Sequence, residues 1–162
     1  MSINKEIEFN TIVNDILKNE DFIELKYEIH HGITRLDHSL NVAHLAYNIA
    51  KKLKVKEYRE ITRAALLHDF FKSCEVPEKS FVKHPVVAAK NAKQEFNINA
   101  MQENIIIAHM FPLSVTIPKS IGGWIVTTAD KIVAIKEVAK YKIPLTVGAV
   151  MLFIFNFLCI QR

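Results

Sequence analysis

The sequence predicts an all-α fold, a compact helical bundle followed by an apolar C-terminal helix. Three observations carry that expectation. Only 4 Gly and 5 Pro occur in 162 residues, too few turn formers for a sandwich or barrel of many short strands. Apolar residues recur at steps of three and four along most of the chain, and no stretch alternates long enough to need a sheet. With 50% hydrophobic and 23% charged residues the chain can bury a core, which excludes disorder and suits one domain with at most a short appendage.

In chain order, Ile7, Ile12, Ile16 and Leu17 keep a helical period that Asn19, Glu20 and Asp21 interrupt. After His30, His31 and Gly32 a long helix is expected from about Thr34 to Leu53, its apolar stripe made of Leu36, Leu40, Ala43, Tyr47, Ala50 and Leu53. The next, from about Glu57 to Phe71, buries Ile61, Ala64, Ala65 and Leu67. Ser73 to Lys83 reads as a loop around Pro77, and Pro85 then stands at the first position of a helix that runs to about Phe96. Another spans about Asn99 to Met110 and stops before Pro112. Pro118, Gly122 and Gly123 precede a last body helix from about Trp124 to Lys142.

Charge divides the chain near residue 142. All 17 acidic residues lie before it, and residues 143–160 (IPLTVGAVMLFIFNFLCI) are 18 uncharged positions of which 14 are apolar. The expected organisation is therefore a helical domain over 1–142 and an apolar tail over 143–162. As a helix, 143–160 would span roughly 27 Å, close to a bilayer core. Lys136, Lys140 and Lys142 on one flank would keep the body on the inner face of that membrane. A buried last helix or a homodimer seam are the alternatives, and Pro144, Gly148 and Asn156 weaken a span.

Composition also bounds function. Two cysteines are too few for a disulfide framework or a zinc ribbon, and a reducing, cytoplasmic setting is expected, with no leader in the acidic N-terminal stretch. The net charge of +4 is modest and interspersed, which suits a small anionic substrate and gives no sign of a nucleic-acid polymer as partner. No Walker motif, dinucleotide fingerprint or zinc-finger spacing occurs.

Seven histidines are the unusual feature. His38 lies in RLDHSLNVAHLA, His68 and Asp69 in AALLHDFFK, His84 at a helix start in HPVVAAKNA, His109 in IIIAHMFP, and Asp130 in IVTTADKIVAIKE. Mixed imidazole and carboxylate donors of this kind suit divalent iron, manganese, cobalt or zinc, and a carboxylate can bridge two ions. Each residue alone has a duller account. His68 and His109 suit helix C-termini, His38 suits a core hydrogen bond, His84 suits a cap, and Thr127 with Asp130 resembles a capping box. Yet Asp130 is followed by Ile132, Val133, Ala134 and Ile135, and an acid on so apolar a segment is costly unless a cation pairs with it.

His38, then His68-Asp69, then Asp130 resembles the H…HD…D signature of the HD-domain metal-dependent phosphohydrolases, over roughly residues 31–138. His84 and His109 are similar to the additional histidines of the dinuclear branch, which includes the symmetrical dinucleoside-tetraphosphate hydrolases. The resemblance implies a first ion held by His38, His68, Asp69 and Asp130, and a second, bridged by Asp69, held by His84 and His109. It implies that Asp69 and Lys72 are catalytic, and Lys72 could neutralise a phosphate oxygen. Arg35 and His31 are the further candidates for substrate contact, while Cys74, His30 and His44 match no motif position. The expected activity is hydrolysis of a phosphoester or phosphoanhydride in a small molecule, a nucleotide or dinucleotide, by water activated on one or two divalent ions. The alternative is an HD module that senses a nucleotide with little turnover, attached to a membrane through its tail.

Overall fold

The computed structural model describes the backbone of residues 3–30, 32–76 and 82–160, and the side chains of residues 3–29, 32–76 and 82–140. Among these residues the expected helical bundle is present. α1 (Ile3–Leu17) buries Phe9, Ile12, Val13 and Ile16, whereas Ile7 is exposed. The polar break after it is a helix start, because the Asn19 side chain accepts from the Phe22 amide at 2.9 Å and caps α2 (Glu20–Glu24). A single 3-10 turn (Leu25–Tyr27) leads to a two-residue antiparallel ladder that the sequence did not suggest, β1 (Ile29–His30) against β2 (Ile33–Thr34). Gly32 turns between them at φ 90°, a conformation that favours glycine.

The bundle is centred on α3 (Arg35–Lys52) and α4 (Tyr58–Leu67), which make the most extensive contact in the molecule. Thr34 caps α3 by accepting from the Asp37 amide at 3.0 Å. Ala43, Ala46 and Ala50 on α3 and Ala64 and Ala65 on α4 are fully buried, and such small side chains let helix axes approach closely. The buried face of α3 is broader than the expected stripe. It includes Arg35, His38, Ser39 and Val42, while Leu36 and Leu40 are only partly covered and Leu53 is exposed.

α5 (His84–Phe96) carries Pro85 in its first turn, where a missing amide proton costs nothing. α6 (Ala100–Ala108) begins in a capping box, with Asn99 and Gln102 exchanging side-chain and backbone bonds of 2.9 Å. α7 (Ile121–Ile160) starts earlier than the sequence suggested because the Ser120 hydroxyl accepts from the Gly123 amide at 3.1 Å. Thr127 and Asp130 are thus inside a helix and do not start one. α7 runs without a break through the boundary expected at 142/143. Among the described residues no helix is long and apolar enough to cross a membrane. The side chains of 143–162, on which the anchor, dimer-seam and buried-helix expectations rest, lie outside those residues.

α7 packs against α3, α4 and α6, and α5 packs against α6. Five helices therefore bring an end or a face to one buried place: the start of α3, the ends of α4 and α6, the start of α5 and the middle of α7.

Candidate metal centre

α4 stops at Leu67, four residues before the expected end, and His68 and Asp69 occupy the turn that follows. The turn is closed by backbone bonds from Phe70 to Leu67 and from Phe71 to Asp69, at 3.1 and 2.8 Å. His68 Nδ1 lies 2.8 Å from the Ala65 carbonyl. A carbonyl only accepts, so Nδ1 carries the proton and Nε2 of the neutral ring keeps its lone pair. His109 repeats the device at the end of α6, its Nδ1 donating to Ile106 O at 2.8 Å. Both rings are almost fully buried, and that burial pushes His68 below the ordinary imidazole range and His109 down to about 3. At neutral pH they are uncharged donors of an electron pair.

The two carboxylates lie among these rings. Asp69 divides its oxygens, with Oδ2 3.7 Å from His68 Nε2, and Oδ1 3.2 Å from His84 Nε2 and 3.6 Å from His109 Nε2. Asp130 Oδ1 is 3.2 Å from His38 Nε2 and 3.8 Å from His68 Nε2. His84 Nε2 and His109 Nε2 face one another at 3.1 Å. Burial opposes ionisation of both acids, but the surrounding imidazoles prevail and hold Asp69 and Asp130 well below the usual carboxylate range. Burial likewise opposes a charge on His38, yet its bond to Asp130, the charge of Asp69 and its bond to Glu137 raise it to about 9.

All six expected ligands, His38, His68, Asp69, His84, His109 and Asp130, are thus brought together. The donor atoms of His38, His68 and Asp130 lie within 4.8 Å of one another, as do those of His68, Asp69 and His109. The chemistry of this set fits a cation. The Nε2 of His68 is buried and lacks a hydrogen-bond partner, and its lone pair faces oxygens of Asp69 and Asp130 at 3.7 and 3.8 Å. Acceptors opposed in a buried site repel, and a divalent ion among N and O donors removes that cost.

The substrate-contact candidates are placed differently. Lys72 extends its ammonium to Glu24 at 2.6 Å and Asp21 at 3.0 Å, and those bonds raise its pKa. Arg35 is 3% exposed, so its guanidinium is enclosed and does not face solvent. It lies 3.8 Å over the Phe71 ring and donates to Phe71 O at 2.6 Å. Phe71 in turn stacks on His84 with centroids 5.0 Å apart. Arg35 therefore braces a ring that packs on a cluster histidine. His31 lies outside the described residues. His44 stacks on Phe9 at 3.8 Å between centroids, a packing role in keeping with its absence from any motif.

Two residues at the cluster were not singled out in the sequence. Glu137 lies 2.8 Å from His38 Nδ1 and is 7% exposed. Lys131 donates to His109 O at 3.0 Å and reaches within 3.4 Å of Asp130 Oδ2. Glu137 was findable from spacing: it follows Asp130 by two helical turns and so lies on the same face.

A family model described as the HD domain matches residues 35–135, more than half of the chain. No curated protein and no solved structure matches the chain significantly.

Proposed function

The chain belongs to the HD-domain family, and from that premise we propose that it is a metal-dependent phosphohydrolase acting on a phosphoester or phosphoanhydride of a small molecule, with nucleotides or dinucleotides as the substrate class. The observation that carries this reading is the convergence of four imidazoles and two carboxylates on one buried place, with the unshared electron pair of His68 directed at carboxylate oxygens.

His38, His68, Asp69 and Asp130 would hold one ion, and His84 and His109 a second, with Asp69 lying between His68 on one side and His84 and His109 on the other. Such ions supply Lewis acidity, which makes water nucleophilic at neutral pH and offsets charge on phosphoryl oxygens. The chain's own contribution is preorganisation. Two helix C-termini fix the protons of His68 and His109, so no ring has to reorient when a ligand arrives. Positive charge beside the cluster comes from Lys131, which touches Asp130 and the His109 carbonyl while remaining about one third exposed. It would be a further cation able to offset charge on a phosphoryl oxygen, beside the expected Lys72 and Arg35.

Elemental analysis of purified protein, beside phosphate release from a nucleotide panel with and without chelator, tests the reading. The expected result is one to two transition ions per chain and activity that chelator abolishes. Protein that binds nucleotide but neither holds metal nor releases phosphate would make it a sensing module instead.

A further inference from the structure

We propose that Glu137, braced by Asn41, is a positioning residue that sets the proton location and ring orientation of His38, so that Nε2 of His38 faces Asp130 and the ion. The inference rests on the metal-site reading above and assigns a role to residues outside the ligand set.

His68 and His109 can anchor Nδ1 on a backbone carbonyl because each stands just past a helix end, where carbonyls lack intrahelical partners. His38 cannot. It is the fourth residue of α3, where the nearby carbonyls are taken by the helix itself. Its Nδ1 needs an acceptor from elsewhere, and α7 supplies one: Glu137 Oε2 at 2.8 Å, with the histidine wholly buried and the acid 7% exposed. A carboxylate accepts, so Nδ1 donates, and the opposite edge of the ring turns its Nε2 to Asp130 at 3.2 Å.

The acid is itself held. Asn41, one turn beyond His38 on α3, donates from Nδ2 to Glu137 Oε1 at 3.2 Å. α3 thus presents His38 and Asn41, and α7 presents Asp130 and Glu137 two turns apart, interlocked where the helices pack. An anionic acceptor on Nδ1 also strengthens the electron pair that Nε2 offers.

The test uses the full chain as wild type and as Glu137→Ala, Glu137→Gln and Asn41→Ala. The Mn(II) dissociation constant is read by competition with a chelating dye, and helical content is checked for each protein. Loss of such a partner weakens metal affinity about 10–100-fold. That loss is expected for Glu137→Ala. Smaller losses are expected for Glu137→Gln, which keeps one acceptor, and for Asn41→Ala, which removes only the brace. Nitrogen-resolved NMR of the imidazoles gives a second readout that a merely structural role would not move. A His38 Nδ1 proton protected from exchange in wild type and lost in Glu137→Ala supports the assignment. Affinity and proton protection unchanged in Glu137→Ala overturn it. Should that variant fail to fold, Glu137→Gln and Asn41→Ala decide, and wild-type affinity in both has the same overturning force. Wild-type protein that takes up no Mn(II) overturns the hydrolase reading instead, and proton protection in the metal-free proteins still decides the role of Glu137.

Discussion

His68 and Asp69 are neighbours in sequence but serve different parts of the cluster, and Asp69 alone reaches both groups of imidazoles. Single substitutions should therefore show whether the cluster holds one ion or two. Asp69→Ala and His68→Ala are expected to abolish metal binding and hydrolysis, whereas His84→Ala should about halve the metal content of a protein that still folds. His44→Ala removes a stacked contact with Phe9, worth about 0.5–1.5 kcal/mol of stability, and should leave metal content at the wild-type level. Elemental analysis of the four proteins checks the series, and an unchanged count in His84→Ala would reduce the site to one ion. The clustered residues were legible because His38, His68-Asp69 and Asp130 occur in order within short motifs and His84 and His109 lie between them in the chain. What the sequence could not show is commitment of the cations. Arg35 and Lys72 have the right charge and spacing, but Phe71 O encloses the first and Glu24 and Asp21 hold the second. Those partners come from distant parts of the chain.

At the scale of helices, α3 ends in a full Schellman motif. Val55 N bonds Ala50 O at 2.9 Å and Lys54 N bonds Lys51 O at 3.1 Å, with Lys54 left-handed at φ 56°. Glycine is the usual residue there, and a Cβ in that conformation costs about 1–2 kcal/mol. The extra entropy of an unfolded glycine returns about 0.4–1 kcal/mol of that. Lys54→Gly is thus expected to stabilise the protein by about 0.5–1 kcal/mol, read as a higher midpoint of urea unfolding. α1 is tied to α3 and α4 by Glu8, which accepts from Tyr58 at 2.6 Å, Tyr47 at 2.7 Å and Lys51 at 3.0 Å. Those bonds lower its pKa from 4.5 to about 2. A depressed folded-state value means that the contribution is whole above about pH 4.5 and is lost as pH falls toward 2. Glu8 is partly exposed, so screening limits the effect to about 1 kcal/mol. Thermal melts of wild type and Glu8→Gln should converge as pH drops from 5 to 3, and a constant gap would deny the linkage. Helix existence was readable from periodicity, but the end of α4 was not. Phe70 and Phe71 are buried from a turn, so the apolar pattern continues past the last helical residue. The face of α3 was misjudged for a related reason: its buried positions include the polar Arg35, His38 and Ser39, which an apolar count omits.

For the molecule as a whole, the cluster is assembled from five helices, and no one of them contains it. An ion that binds the folded cluster and finds no such arrangement in the unfolded chain stabilises the entire bundle by mass action. At one hundred times its dissociation constant that is about 2.7 kcal/mol, which for a domain of this size raises the thermal midpoint by about 5–10 °C. Chelator should remove the increment, and the His68→Ala protein should show none of it. The same measurement separates the body from the tail. Every residue of the cluster lies between His38 and Glu137, so a chain ending at Lys142 is expected to keep the full metal-dependent rise. Residues 143–160, uncharged and mostly apolar, are then the segment whose removal should abolish any sedimentation with lipid vesicles. A truncated chain that lost its metal response would show that the tail completes the fold of α7 at the cluster. A full chain that stayed in the supernatant would assign the tail to protein packing instead.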